Sequence, residues 1–123
     1  MKEMRVLIGT LDEFLAKGRA LARDADAGRA ITPDFSIMFE DPKEMAAVLT
    51  PRRIELLEHI RTGAASITHL AEQLHRDRAA VKRDVDALTR AGMVKLTEKP
   101  LPGHGRQKIV ETLAERFVVM ASI

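Results

Sequence analysis

The chain has no cysteine, tryptophan or tyrosine, and only four phenylalanines in 123 residues. Without cysteine, disulfide scaffolds and thiolate metal sites are excluded. So few aromatic rings leave almost nothing on which single-stranded nucleic acid could stack its bases. No apolar run approaches the ~18 residues of a membrane span, and the N-terminus lacks a signal-peptide pattern, so a cytoplasmic location and no membrane partner are expected. A strong excess of either charge is lacking too: Lys+Arg number 20 and Asp+Glu 18, a net of +2.

What is present fits a soluble globular chain, with 46% hydrophobic and 31% charged residues. Its length suits one domain, or one domain with an extension. The charge is unevenly spread. Residues 1–50 hold seven Lys/Arg and nine Asp/Glu, whereas residues 51–123 hold thirteen and nine. The basic excess falls in the second part, as an electrostatic footprint for nucleic acid should.

That second part carries the strongest pattern. Thr50-Pro51 starts a helix with Ile54, Leu57 and Ile60 on successive turns and Leu56 beside them, ending at Thr62-Gly63. Ser66 caps the next helix, whose Ile67, Leu70, Ala71 and Leu74 follow the i, i+3, i+4, i+7 rule. His75-Arg76 makes a polar turn, and Asp77 is placed to cap a third helix with an inward stripe of Val81, Val85 and Leu88. Met93 to Lys99, a Pro/Gly-rich tip at Pro100 to Gln107, and Lys108 to Leu113 then read as a β-hairpin. Two amphipathic helices around a turn form a helix-turn-helix, whose second helix enters the major groove of double-stranded DNA, and the hairpin is its wing.

Residues 1–50 read as strand, helix, strand and short helix. Arg5 to Ile8 is the first strand. Thr10 and Glu13 form a capping box for a helix running to Ala27, interrupted by Gly18 and stopped by Gly28. Thr32-Pro33-Asp34 is a turn, and Phe35, Ile37 and Phe39 alternate with polar or flexible residues as in a half-buried strand. Asp41-Pro42-Lys43-Glu44 starts a helix with Met45, Val48 and Leu49 inward. This part is too small for its own core. It is expected to pack on the rest of the chain or to form a dimerisation element, together with the apolar run Phe117 to Ala121. The fold class is thus α+β, a winged helix-turn-helix (51–123) with an N-terminal strand-helix-strand extension (1–50).

With Val81, Val85 and Leu88 turned inward, Arg78, Ala79, Lys82, Arg83 and Asp86 lie on or beside the opposite face. Arg78, Lys82 and Ala79 are the candidates for base edges, since Arg and Lys suit guanine acceptors and Ala suits the thymine methyl. Arg83 is a candidate phosphate contact, as are Ser66 and Thr68 at a helix N-terminus, and Arg76 in the turn is a further DNA-binding candidate. In the wing, His104 and Arg106 are expected to reach the minor groove or adjacent phosphates. The competing reading is an ordinary solvated helix face, with Lys82 and Asp86 as an i, i+4 pair. Lys95, Lys99 and Lys108 read equally as phosphate contacts or as solubilising edge charges. Arg52 and Arg53 read equally as backbone contacts or as solvated residues. Asp84 and Asp86 either bridge neighbouring cations or weaken DNA binding.

Nothing points to catalysis. There is no nucleophile elbow, paired-acid site or cofactor fingerprint. Of the four histidines, His59, His69, His75 and His104, only His69 and His75 are close, and their spacing does not share a helix face. Gly103 and Gly105 lack the helix and lysine of a phosphate-binding loop. No enzyme activity, cofactor or metal is expected.

From Pro51 to Leu113 the chain resembles the MarR-like branch of winged-helix transcription regulators. The residues carrying this are Ser66-Ile-Thr-His-Leu-Ala-Glu-Gln-Leu-His-Arg-Asp77, Val81-Lys-Arg-Asp-Val-Asp-Ala-Leu88 and Ala91-Gly-Met-Val-Lys95. The whole chain, with Val6-Leu-Ile-Gly-Thr-Leu11, Phe35 to Glu40 and Leu49-Thr-Pro-Arg-Arg53, is similar to a narrower family of small DNA-binding proteins, some encoded beside toxin genes. The resemblance implies a core stripe at Val81, Val85 and Leu88 and a basic pair, Lys82 and Arg83, before an acidic step at Asp84. MarR proteins dimerise through long terminal helices, and nothing that long flanks the domain here, so no small-molecule effector is expected. The expected function is a dimeric DNA-binding regulator, a repressor reading a palindromic operator. The alternative is an antitoxin-type module that covers a partner toxin and autoregulates its operon.

Overall fold

The computed structural model describes residues 3–9, 16, 36–103 and 105–119. All but Ala16 of the predicted helix from Thr10 to Ala27 lies outside them, as do the turn at Thr32-Pro33-Asp34, Phe35, and the end of the apolar run at Met120 and Ala121.

Strand β1 (Glu3–Ile8) is the centre of a three-stranded sheet of order β2-β1-β6. Strand β2 (Ser36–Phe39) pairs with it in parallel, Val6 against Ile37 and Ile8 against Phe39. Strand β6 (Arg116–Val119) pairs in parallel on the other side, Met4 against Phe117 and Val6 against Val119. The C-terminal apolar run, expected between subunits, thus supplies a strand to the chain's own N-terminal sheet. Period-2 alternation turns Met4 and Val6 inward and leaves Arg5 exposed.

Helix α1 (Pro42–Val48) begins as expected. Asp41 Oδ1 accepts from the Glu44 amide at 2.9 Å, and Glu44 Oε2 accepts from the Glu40 amide at 3.3 Å. Helix α2 (Pro51–Arg61) is capped by Thr50, whose Oγ1 accepts from the Arg53 amide at 3.3 Å. Leu56, Leu57 and Ile60 are buried, but Ile54, expected inward, is 43% exposed. At 3.6 residues per turn, Ile54 falls well off the arc shared by Leu56 and Ile60.

A two-residue strand, β3 (Ala65–Ser66), was not legible as a strand because it is too short to show a period. It leads into helix α3 (Ile67–Leu74), where Ser66 Oγ accepts from the His69 amide at 3.0 Å. His75 ends the helix in the left-handed region at φ 52°, and the Arg76 amide donates back to the Ala71 carbonyl at 3.0 Å. Helix α4 (Arg78–Arg90) follows. Asp77 occupies its N-cap position, yet its side chain makes no capping bond, contrary to expectation. Val81, Val85 and Leu88 are fully buried. The helix closes with the Met93 amide donating to Leu88 and the Gly92 amide to Thr89, both at 3.0 Å. This double closure needs a left-handed residue, which Gly92 supplies at φ 82°.

The wing is an antiparallel hairpin of β4 (Val94–Leu101) and β5 (Gly105–Thr112), its strands running further toward the tip than expected. Pro100 stands opposite Arg106 within the ladder and not in a loop. In the second sheet, ordered β3-β5-β4, β4 is an edge strand, and there a proline without an N–H is tolerated. One core runs through both parts. Met4, Val6, Phe39 and Met45 cluster with Leu56, Ile60, Val81, Val85, Leu88, Met93 and Val110. Full burial of such side chains stabilises by about 1.5–3 kcal/mol each, so residues 1–50 contribute substantially to the common core.

Candidate nucleic-acid interface

The antiparallel wing rises beside the N-terminal turn of α4, and an open cleft lies between them. It is lined by Ser66, Ile67, Thr68, Arg78, Lys82, Leu101, Arg106, Gln107 and Lys108. Five predicted contacts, Ser66, Thr68, Arg78, Lys82 and Arg106, therefore meet in one place, joined by Lys108. Four of the lining side chains are cations and none is a carboxylate. Gln107 and Leu101 were not singled out in sequence. The register that sets Gln107 opposite Lys99 follows from the extended hairpin.

Within the cleft the cations are partly oriented. Arg78 Nε donates to Thr68 Oγ1 at 3.2 Å, tying the first turn of α4 to α3. Lys82 Nζ donates to Asp86 Oδ2 at 3.0 Å, the expected i, i+4 pair. Arg106 Nη1 lies 3.6 Å from Glu98 Oε2 across the wing. These pairs are solvent-exposed, so each is worth little and can be exchanged for a phosphate. Ala79 and Arg83 are exposed on α4 but do not line the cleft. Ser66 is buried and its hydroxyl already caps α3. His104 lies outside the described residues.

Arg76 is placed differently from the expectation. Its side chain is 10% exposed and turned inward, with Nη2 donating to Asp84 Oδ2 at 2.7 Å. Arg53 Nε donates to the other oxygen, Oδ1, at 3.0 Å. Arg53 Nη1 also donates to the Ala47 and Val48 carbonyls, each at 3.1 Å, satisfying the C-terminus of α1. Arg53 is thus neither solvated nor free for a phosphate. Burial pushes the Asp84 carboxyl up, but hydrogen bonds from Arg76 and Arg53 and their two charges outweigh it and hold the carboxyl below its ordinary value. One signal in the sequence marks this cluster. Asp84 occupies the i+3 place of the stripe Val81, Val85, Leu88, and a carboxylate in an apolar stripe requires a partner. Asp84 removes no positive charge from the cleft, since its partners lie beneath the helix.

Among the described residues no His, Asp and Glu side chains gather as three or more potential metal ligands, and no helix is long and apolar enough to cross a membrane.

No curated protein matches the chain. Among solved structures, a Methanosarcina mazei Go1 protein described as a possible transcriptional regulator superposes with a TM-score of 0.51 at 17% identity, covering 59% of this chain and 65% of that one. The chain therefore spans less than two thirds of that relative. A MarR-like transcriptional regulator from Thermotoga maritima gives a TM-score of 0.44 at 14% identity, over 83% of this chain and 65% of that one. The protein ZitR of Lactococcus lactis, as a cysteine-to-serine mutant in complex with DNA, gives 0.47 at 13% identity, over 84% and 65%. The architecture is the α+β winged helix of such transcriptional regulators. A family model described as HVO_A0114 matches residues 48–119, more than half of the sequence, and the chain belongs to that family.

Proposed function

We propose that this protein is a sequence-specific, double-stranded DNA-binding transcription regulator, acting as a dimeric repressor in the cytoplasm. One observation carries the reading. The Val81–Val85–Leu88 side of α4 is fully buried, while Arg78 and Lys82 on its other side share a carboxylate-free cleft with Arg106 and Lys108 of the wing. A recognition helix offers its N-terminal residues to base edges, and Arg78 and Lys82 are there. Thr68, Arg106 and Lys108 suit phosphates on either side, and Arg83 a flanking phosphate. Residues 51–123 form the DNA-reading unit in this proposal, and residues 1–50 a packing extension whose sheet, with β6 at its edge, takes part in joining the subunits. Two copies on a palindrome would set half-sites ~34–36 Å apart.

The test is a titration of the upstream promoter fragment with wild type and with Arg78→Ala/Lys82→Ala. Loss of an Arg or Lys contact to guanine costs about 1–3 kcal/mol, and each lost phosphate contact lowers the salt slope by about 1. Unchanged affinity together with an unchanged slope would end the proposal. Repression is read separately, by placing the promoter ahead of a reporter with and without the protein.

A further inference from the structure

Ile54, at 43%, and Val119, at 52%, are the two most exposed large apolar side chains among the described residues, and both line the same shallow groove. One wall is α2, which offers Ile54, Leu57, Glu58 and Arg61 at the i, i+3, i+4, i+7 spacing of a single face. The other wall is β6, through Phe117 and Val119, which share a face of the strand. In the order β2-β1-β6, β6 has β1 on one side and, among the described residues, no strand on the other. An edge of this kind presents a row of backbone donors and acceptors to a further strand. Arg116–Val119 contains no proline to prevent pairing.

We propose that the groove and the adjoining β6 edge receive a second copy of this chain. Strand β6 pairs antiparallel with its counterpart across a two-fold axis. The two sheets become one, and the Ile54 and Val119 side chains of both copies close over each other. The inference rests on the reading of the protein as a dimeric DNA-binding regulator, and it names the surface that joins the subunits. The rim charges select the occupant. The charged side chains that line the groove are one acid, Glu58, and one base, Arg61, both on α2 beside Ile54. A two-fold axis sets the same surface against itself, so Glu58 of each copy can meet Arg61 of the other. A partner with a rim of one charge would meet one attraction and one repulsion.

The experiment is light scattering and sedimentation of the full chain across a concentration series without DNA. Wild type is expected to be a dimer. Val119→Lys and Ile54→Glu, both at exposed positions, should each weaken it by at least about tenfold with an unchanged circular dichroism spectrum. Glu58→Arg or Arg61→Glu alone should weaken it, and the double exchange should restore it. A monomeric wild type would overturn the proposal, as would dimers that survive both Val119→Lys and Ile54→Glu, or a groove protected only by a co-expressed partner toxin. A half-site duplex separates the two ideas. A monomeric variant that keeps half-site affinity supports this interface, and a wild-type dimer that ignores DNA removes the regulator reading while leaving the interface standing.

Discussion

Asp84 and Arg76 meet at 2.7 Å on the core side of α4, although Arg76 belongs to the turn before it. Asp84 immediately follows Lys82 and Arg83 on α4 but faces the other way, into a fork of two arginines. Through Arg53 the fork ties α4 to α2 and to the end of α1, and through Arg76 it ties α4 to the turn before it, upstream of Arg78 and Lys82. Asp84→Ala strands two largely buried guanidinium groups and is expected to cost about 3 kcal/mol, within the range for breaking a buried pair. Asp86→Ala removes an exposed partner of Lys82 and should cost no more than about 0.5 kcal/mol. Urea denaturation of both variants checks the contrast, and similar midpoints would contradict it.

The same cluster predicts an acid-sensitive contribution to stability. The carboxyl of folded Asp84 titrates below the unfolded value of 3.8. The folded state therefore binds fewer protons, and the stabilisation is fully present above the unfolded value and is lost as pH falls through the folded one. Stability measured between about pH 6 and pH 2 should decline, and Asp84→Asn should flatten part of that decline. Parallel curves for both proteins would refute the assignment.

His75 holds a left-handed backbone at φ 52° between α3 and α4 with its side chain exposed. A Cβ there costs about 1–2 kcal/mol, partly offset because glycine loses more freedom on folding. His75→Gly is expected to stabilise by about 0.5 kcal/mol, and β-branched His75→Val to destabilise. Thermal midpoints moving in the same direction would show that the turn is not set by this residue.

Gly92→Ala tests the other end of α4. A Cβ would meet Ile37 Cδ1 at 3.8 Å, ordinary contact, so the penalty comes from φ 82°. The expected loss is about 1–2 kcal/mol. Gly63→Ala, where a Cβ meets nothing within 4 Å, should cost far less in the same denaturation assay.

Thr68→Val removes the acceptor that orients Arg78. Both residues are exposed, so stability should stay within about 0.5 kcal/mol. Affinity for the promoter fragment should fall by about 1 kcal/mol, the net worth of one hydrogen bond. Unaltered affinity would mean that the tether does not position Arg78 for DNA.

Much of the helix-turn-helix could be read locally. Asp41, Thr50 and Ser66 cap their helices as their residue types predict, because a cap needs only the next turn of its own chain. The wing was legible as a hairpin, though its expected tip is longer than the observed one. Pro100 looks like loop until β4 is known to be an edge strand. Arg76 and Arg53 were misplaced for a related reason. A basic residue at a turn or helix start has the same local signature whether it faces solvent or a carboxylate many residues away.

The amino-acid order alone set the four helices between Pro42 and Arg90, the caps at Asp41, Thr50 and Ser66, and the buried stripe of Val81, Val85 and Leu88, since these depend on periodicities of a few residues. Only the folded chain decided that β6 joins β1, that Asp84 holds Arg53 and Arg76, and that Thr68, Arg78, Lys82 and Arg106 share one cleft. These pairings join distant segments. Their energies come from closing loops and desolvating charges together, which no short window of sequence contains.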